Sequence, residues 1–138
     1  MIPEFDYRGH LPPGIHPATI EEIEGRFGRQ SEVRRAQIES IGWLVDLARR
    51  AGVLRIIIDG SFVTDTPEPD DVDCVLLIGP GFPSDRLAEA DLDAGLPFIG
   101  AEVVGRNAFD DLVRFFATDR AGVPKGMIEV THGPAQPG

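Results

Sequence analysis

Asp71 and Asp73, separated by Val72, are the residues of this chain whose types and spacing best suit chemistry. Side chains two apart on a strand point the same way, so these carboxylates stand together, roughly 6–7 Å apart at Cα. Like charges so placed repel unless a cation lies between them. A divalent metal is the economical answer: Mg²⁺ (or Mn²⁺) takes one or two carboxylates, keeps several waters and accepts phosphate oxygens as remaining ligands. Upstream, across a Pro-containing turn, an apolar run ends in Gly60-Ser61. Gly60 lets backbone approach a phosphate closely, while the Ser61 hydroxyl and nearby N–H groups donate to its oxygens. The two motifs supply both ends of a metal-nucleotide complex. A two-metal displacement needs a further carboxylate across the sheet. Glu102, within IGAEVVG, is the candidate, with Glu129 in reserve. Lys125, in GVPKG, is placed to reach a triphosphate from a loop, helped by Arg120; a solvated turn lysine is the competing reading.

These residues need strands on either side of a turn, and the apolar runs provide them. Leu54 to Ile58 and Val72 to Ile78 read as buried strands. Met1 to Pro17, with four prolines and two glycines, reads as an extended arm. Thr19 and Glu22 form a capping-box pattern for a helix from about Ile20 to Phe27, and Ser31 caps a longer one that ends at Gly52. A weaker helix from Ser84 to about Leu92, a strand from Pro97 to Val104, a helix opened by Asn107 and Asp110, and a strand from Gly126 to Thr131 follow. The tail from Gly133 reads as loose. The fold class is α+β: one domain over residues 1–138, with a small mixed sheet of about four strands and helices on one face.

At 138 residues the chain has room for one core. No apolar stretch approaches a membrane span and no basic, then apolar, leader opens it, so a cytoplasmic, non-membrane setting is expected. A net charge of −10 opposes binding to duplex DNA and suits divalent cations or a basic protein partner. Cys74, the one cysteine, reads as a small buried hydrophobe.

The Gly60-Ser61 to Asp71-Asp73 pattern resembles the core of the DNA polymerase beta-like nucleotidyltransferase superfamily: apolar-Gly-Ser, a spacer of about this length, then Asp-apolar-Asp-apolar. Ile58, Gly60, Ser61, Asp71, Val72, Asp73 and Cys74 match it in order. The opening IPEFDYRGHLPPGIHPAT and the closing DRAGVPKG also look like a family of short bacterial nucleotidyltransferase-like proteins with no settled substrate. The resemblance implies that Gly60 and Ser61 hold the triphosphate of an NTP, ATP by default, and that Asp71, Asp73 and a third strand carboxylate bind metal. Glu102 departs from the Asp usual at that third position. The implied reaction moves a nucleoside monophosphate to a hydroxyl of a protein or RNA acceptor and releases pyrophosphate. Superfamily members of this size are often antitoxins that nucleotidylate or mask a paired toxin. The alternative is therefore a catalytically weak, antitoxin-like or regulatory binding module. Larger members close over substrate with an added helical domain, so a partner or a second subunit would complete the pocket here.

Other groups read as structural. His10, His16 and His132 lack metal-ligand spacing. Phe109, Phe115 and Phe116 read as core, and Trp43 as a contact for the Pro-rich arm. Arg34 and Arg35, unfavourable to the dipole at a helix start, hint at an anion or acidic partner. Asp65 and Glu68 serve the turn, with Asp65 bordering the nucleotide.

Overall fold

A computed structural model describes residues 2–131; the tail from Gly133 and His132 lie outside the described residues. The fold is α+β, with a mixed sheet of five strands and four helices. The additional strand, β1 (Gly14–Thr19), comes from the segment expected to be an irregular arm, and it pairs in parallel with the last strand. Its prolines hid it. Pro17 has no N–H for a ladder, which an edge strand tolerates and a central one does not, and β1 lies at the sheet edge.

Thr19 closes β1 and caps α1 (Ile20–Phe27), which has the expected bounds. The Glu22 amide donates to Thr19 Oγ1 at 3.2 Å, and the Thr19 amide donates to Glu22 Oε1 at 3.0 Å. Thr19→Ala removes the acceptor of the first bond and should cost about 1 kcal/mol, read as a lower urea midpoint. An unchanged midpoint would count against a stabilising cap.

Helix α2 (Glu32–Ala51) starts at the Ser31 cap and ends where Gly52 turns left-handed. It is followed by β2 (Arg55–Asp59), β3 (Val72–Leu77), α3 (Arg86–Ala94), β4 (Ile99–Val104), α4 (Arg106–Phe116) and β5 (Gly126–Thr131). Asp85, rather than Ser84, caps α3, accepting from the Leu87 and Ala88 amides; the Ser84 hydroxyl donates to the Arg50 carbonyl. Gly105 precedes α4 without a side-chain cap, so Asn107 falls inside that helix.

The sheet order is β1-β5-β2-β3-β4. Helices cover both of its faces, not one, because β2, β3 and β5 are apolar on both sides. Ile56, Ile58, Cys74, Leu76 and Ile128 pack with Phe27, Ile41 and Leu44 of α1 and α2. The alternate residues Ile57, Val75, Leu77 and Met127 pack with Phe109 of α4. Phe116 joins that second cluster, whereas Phe115, expected in the core, is 71% exposed. The N-terminal segment docks on the end of α1 rather than on Trp43: Arg26 donates to the Pro3 carbonyl and lies over the Phe5 ring.

The topology sends several chain ends to one end of the sheet. Strand β2 runs antiparallel to β3 and β5, and β3 runs parallel to β4. The C-terminal end of β2 therefore lies beside the N-terminal ends of β3, β4 and β5.

Candidate active site at the shared strand ends

Asp73 is the second residue of β3, and Asp71 immediately precedes that strand. Asp73 is half-buried, and Asp71 is exposed. By alternation Asp73 shares the α4 face with Val75. Its partner across the ladder is Asp59, the last residue of β2. Asp59 did not figure among the sequence candidates. It is 1% exposed, and among the described residues neither carboxylate oxygen has a hydrogen-bond partner. Burial, then the charge of Asp73, pushes its pKa up to about 7, with Lys125 pulling the other way. Burial and the charge of Asp71 also raise the Asp73 pKa, again opposed by Lys125. Two carboxylates are thus forced together at the end of the sheet, and a cation would relieve them.

Gly60 follows Asp59 with φ +78° and ψ −162°, a conformation open essentially to glycine. A Cβ built there would meet Asp73 Oδ2 at 2.3 Å. Glycine at this position therefore makes room for the Asp73 carboxylate as well as permitting the turn. Ser61 opens a 3₁₀ turn, Ser61–Val63, and its carbonyl accepts from the Thr64 hydroxyl at 2.7 Å.

The loop from the Gly-Ser turn to Asp71 is held from beneath by Arg34, 2% exposed. Its guanidinium donates to the carbonyls of Phe27 (3.0 Å), Phe62 (2.8 Å), Thr64 (2.9 Å) and Thr66 (2.5 and 3.1 Å). Gln37, one turn along α2, donates to the Pro69 carbonyl at 2.6 Å. This corrects the reading of Arg34 as a hint of an anion or acidic partner: it is a buried clamp on backbone oxygens. Asp65 faces away toward the N-terminal segment, where a Cβ at Gly9 would meet its carboxylate at 2.1 Å.

Glu102 is exposed and in register with Val75. It shares the Asp73 face but lies one strand repeat farther along, roughly 6–7 Å. Gly100 takes the place beside Asp73 on β4. Glu129 is engaged elsewhere, in a bidentate pair with Arg55 at 2.7 and 2.9 Å. Lys125, the chain's only lysine, precedes β5 and so arrives at the same sheet end as Asp73. A groove of about 760 Å³ lined by Asp73, Lys125, Arg120, Arg114 and Phe115 opens there. A groove of about 810 Å³ between α1 and α2 is on the opposite side of the sheet and has no part of this constellation.

Cys74 points into the α1–α2 core, where burial pushes its thiol pKa far up, so it is an inert packing group. Among the described residues no group of three or more His, Cys, Asp or Glu could hold a metal ion. Asp59 and Asp73, partners across the ladder, are both oxygen donors. That chemistry fits a hard cation such as Mg²⁺ or Mn²⁺, which accepts few protein carboxylates when phosphate oxygens and water complete its shell.

The fold and the site define an α+β domain with a groove at the shared strand ends, lined by Asp73, Lys125, Arg114 and Arg120. The chain belongs to a family of unknown function (DUF6932), whose model matches residues 3–131. No curated protein and no solved structure matches it. Among the described residues no helix is long and apolar enough to cross a membrane.

Proposed function

We propose that this protein is a minimal metal-dependent nucleotidyltransferase, moving a nucleoside monophosphate from an NTP to a hydroxyl of a protein or RNA acceptor. The observation that carries this reading is the packing of Gly60 against the Asp73 carboxylate, two residues after Asp71, where Asp73 and Lys125 line one groove. A sequence pattern at the right spacing has an ordinary alternative, a tight turn with self-capping aspartates. The closeness of Gly60 to the Asp73 carboxylate and the burial of charge around it do not follow from that alternative.

In the proposed reaction Asp71 and Asp73 hold Mg²⁺ or Mn²⁺, which when bound would offset phosphate charge and favour ionisation of the acceptor hydroxyl. Gly60 and Ser61 lie against the triphosphate, and Lys125 donates to its oxygens. Arg120, on the turn before β5, adds positive charge at the groove mouth. The hydroxyl oxygen, its proton passing to solvent water, attacks the α-phosphorus, the bond to the bridging oxygen breaks, and pyrophosphate leaves with that electron pair. The net charge of −10 favours a protein acceptor over RNA, because a polyanion would be repelled. A toxin paired with this chain is the acceptor class that the superfamily resemblance puts first.

The test is incubation with Mg²⁺, labelled ATP, CTP, GTP or UTP, and the product of the neighbouring gene. Label should appear on the acceptor, and Asp71→Ala/Asp73→Ala should lower the rate by about 10³-fold or more. Equal transfer by the double variant would refute the proposed site. Unlabelled acceptor that still binds the double variant would favour a binding module that keeps the fold.

A further inference from the structure

We propose that Asp59, opposite Asp73 across the ladder, is a carboxylate ligand of the metal site, in the role the sequence pattern offers to Glu102. This inference rests on the metal-nucleotide reading above and adds to it a ligand from β2.

Position is the first argument. Asp59 and Asp73 are direct partners in the antiparallel ladder and lie on one face, whereas Glu102 is beside Val75, one repeat away. A cation at the Asp73 carboxylate therefore has Asp59 as its neighbour on one flank and Gly100, with no side chain, on the other. A Cβ at Gly100 would be 3.6 Å from Asp73 Oδ1, which leaves that flank open to substrate.

The second argument is the state of the Asp59 carboxylate. It is 1% exposed, and neither oxygen receives a hydrogen bond from the described residues. A buried carboxylate is ordinarily paired, hydrogen-bonded or bound to metal, because burying its charge alone is expensive. The protein supplies no ion pair: Lys125 acts on Asp59 and Asp73 electrostatically, but among the described residues it forms no salt bridge with either. Glu102, by contrast, is solvated and has no such deficit to repair.

The third argument is chemical economy. Asp59 precedes the phosphate-facing turn without a spacer, so a cation bridging Asp59 and Asp73 would stand at the root of Gly60-Ser61. Metal and triphosphate would then be aligned by one backbone segment. A ligand on β4 would have to reach along the strand to do the same.

Mn²⁺ binding, measured by electron paramagnetic resonance and calorimetry with and without a non-hydrolysable ATP analogue, tests the assignment on the full chain. Asp59→Asn should weaken Mn²⁺ by about tenfold or more, while Glu102→Gln should stay within about twofold of the unsubstituted protein. The reverse pattern, or binding by Asp59→Asn equal to the unsubstituted protein's, overturns the inference while leaving the nucleotide site standing. If Asp73→Asn also binds like the unsubstituted protein, or that protein binds no Mn²⁺, the metal reading itself falls and this inference with it. Should Asp59→Asn not fold, the carboxyl ¹³C signals of the unsubstituted protein decide during a Mg²⁺ titration. The Asp59 signal shifts to saturation if it is a ligand; movement of Glu102 with Asp59 unmoved overturns the assignment.

Discussion

Replacing Arg34 with methionine should destabilise the protein by about 3–5 kcal/mol and loosen the loop that joins the two halves of the proposed site. The guanidinium serves four backbone carbonyls, from Phe27, Phe62, Thr64 and Thr66, in a nearly sealed environment. Methionine matches much of the length and none of the donors, so those oxygens lose their partners where water has poor access, at about 1–3 kcal/mol each when fully buried. The total is smaller than four such penalties because the loop can shift toward solvent. Lysine should rescue little: one ammonium carries charge but cannot fork toward carbonyls on both sides of the loop. Arg35, the next residue, is exposed, and among the described residues its side chain bonds only to the nearby Arg29 carbonyl, so Arg35→Met should stay within about 0.5 kcal/mol. Urea denaturation of the three variants measures this. A midpoint for Arg34→Met equal to that of Arg35→Met would show that the clamp contributes nothing.

Arg34 also marks where the sequence stops being informative. Helix α1 was legible to the residue because its capping box is a local signal, and β2 and β3 because short apolar runs between turn residues have few alternatives. The burial of Arg34 depends on a loop about thirty residues downstream folding over it, and no periodicity within α2 reports that. Strand β1 was obscured by prolines that only its edge position permits. The second helical layer followed from apolar character on both faces of β2 and β3, which a run such as LRIIID contains but does not assign to faces.

The candidate site divides in the same way. Gly60, Ser61, Asp71 and Asp73 were legible as a spacing, because both motifs flank one loop. Lys125 reaches them only through the pairing of β5 with β2. Asp59 was written in plain view, between an isoleucine run and Gly60, and its alternation with Ile57 places it on a buried face. What the sequence withheld was register: opposite Asp73 it is a partner, and one residue out of register it would face the other layer.

Asp59 also predicts an unusual pH profile for the metal-free protein, whose stability should fall as pH rises from about 4 to about 7. The Asp59 pKa is pushed up to about 7 in the fold, chiefly by burial and then by Asp73, against an ordinary value of 3.8. Between those values the folded chain holds a proton that the unfolded chain has released. Stability from this group is thus fully present below the unfolded pKa and lost as pH passes the folded one. The full excursion is worth about 4 kcal/mol at 1.36 kcal/mol per unit. The raised Asp73 pKa adds in the same direction. A net charge of −10 gives the whole molecule some downward slope through self-repulsion, so the diagnostic is the difference between proteins. Asp59→Asn keeps the shape and removes the titration; its urea midpoint in EDTA should match the unsubstituted protein near pH 4.5 and exceed it near pH 7.5. If Asp59 is the proposed ligand, added Mg²⁺ should restore stability to the unsubstituted protein at the higher pH and much less to the variant, because an ion held by the deprotonated carboxylates stabilises the folded state. Parallel profiles for the two proteins in EDTA would mean that Asp59 is ionised and comfortable in the fold, and that its burial places no demand on a cation.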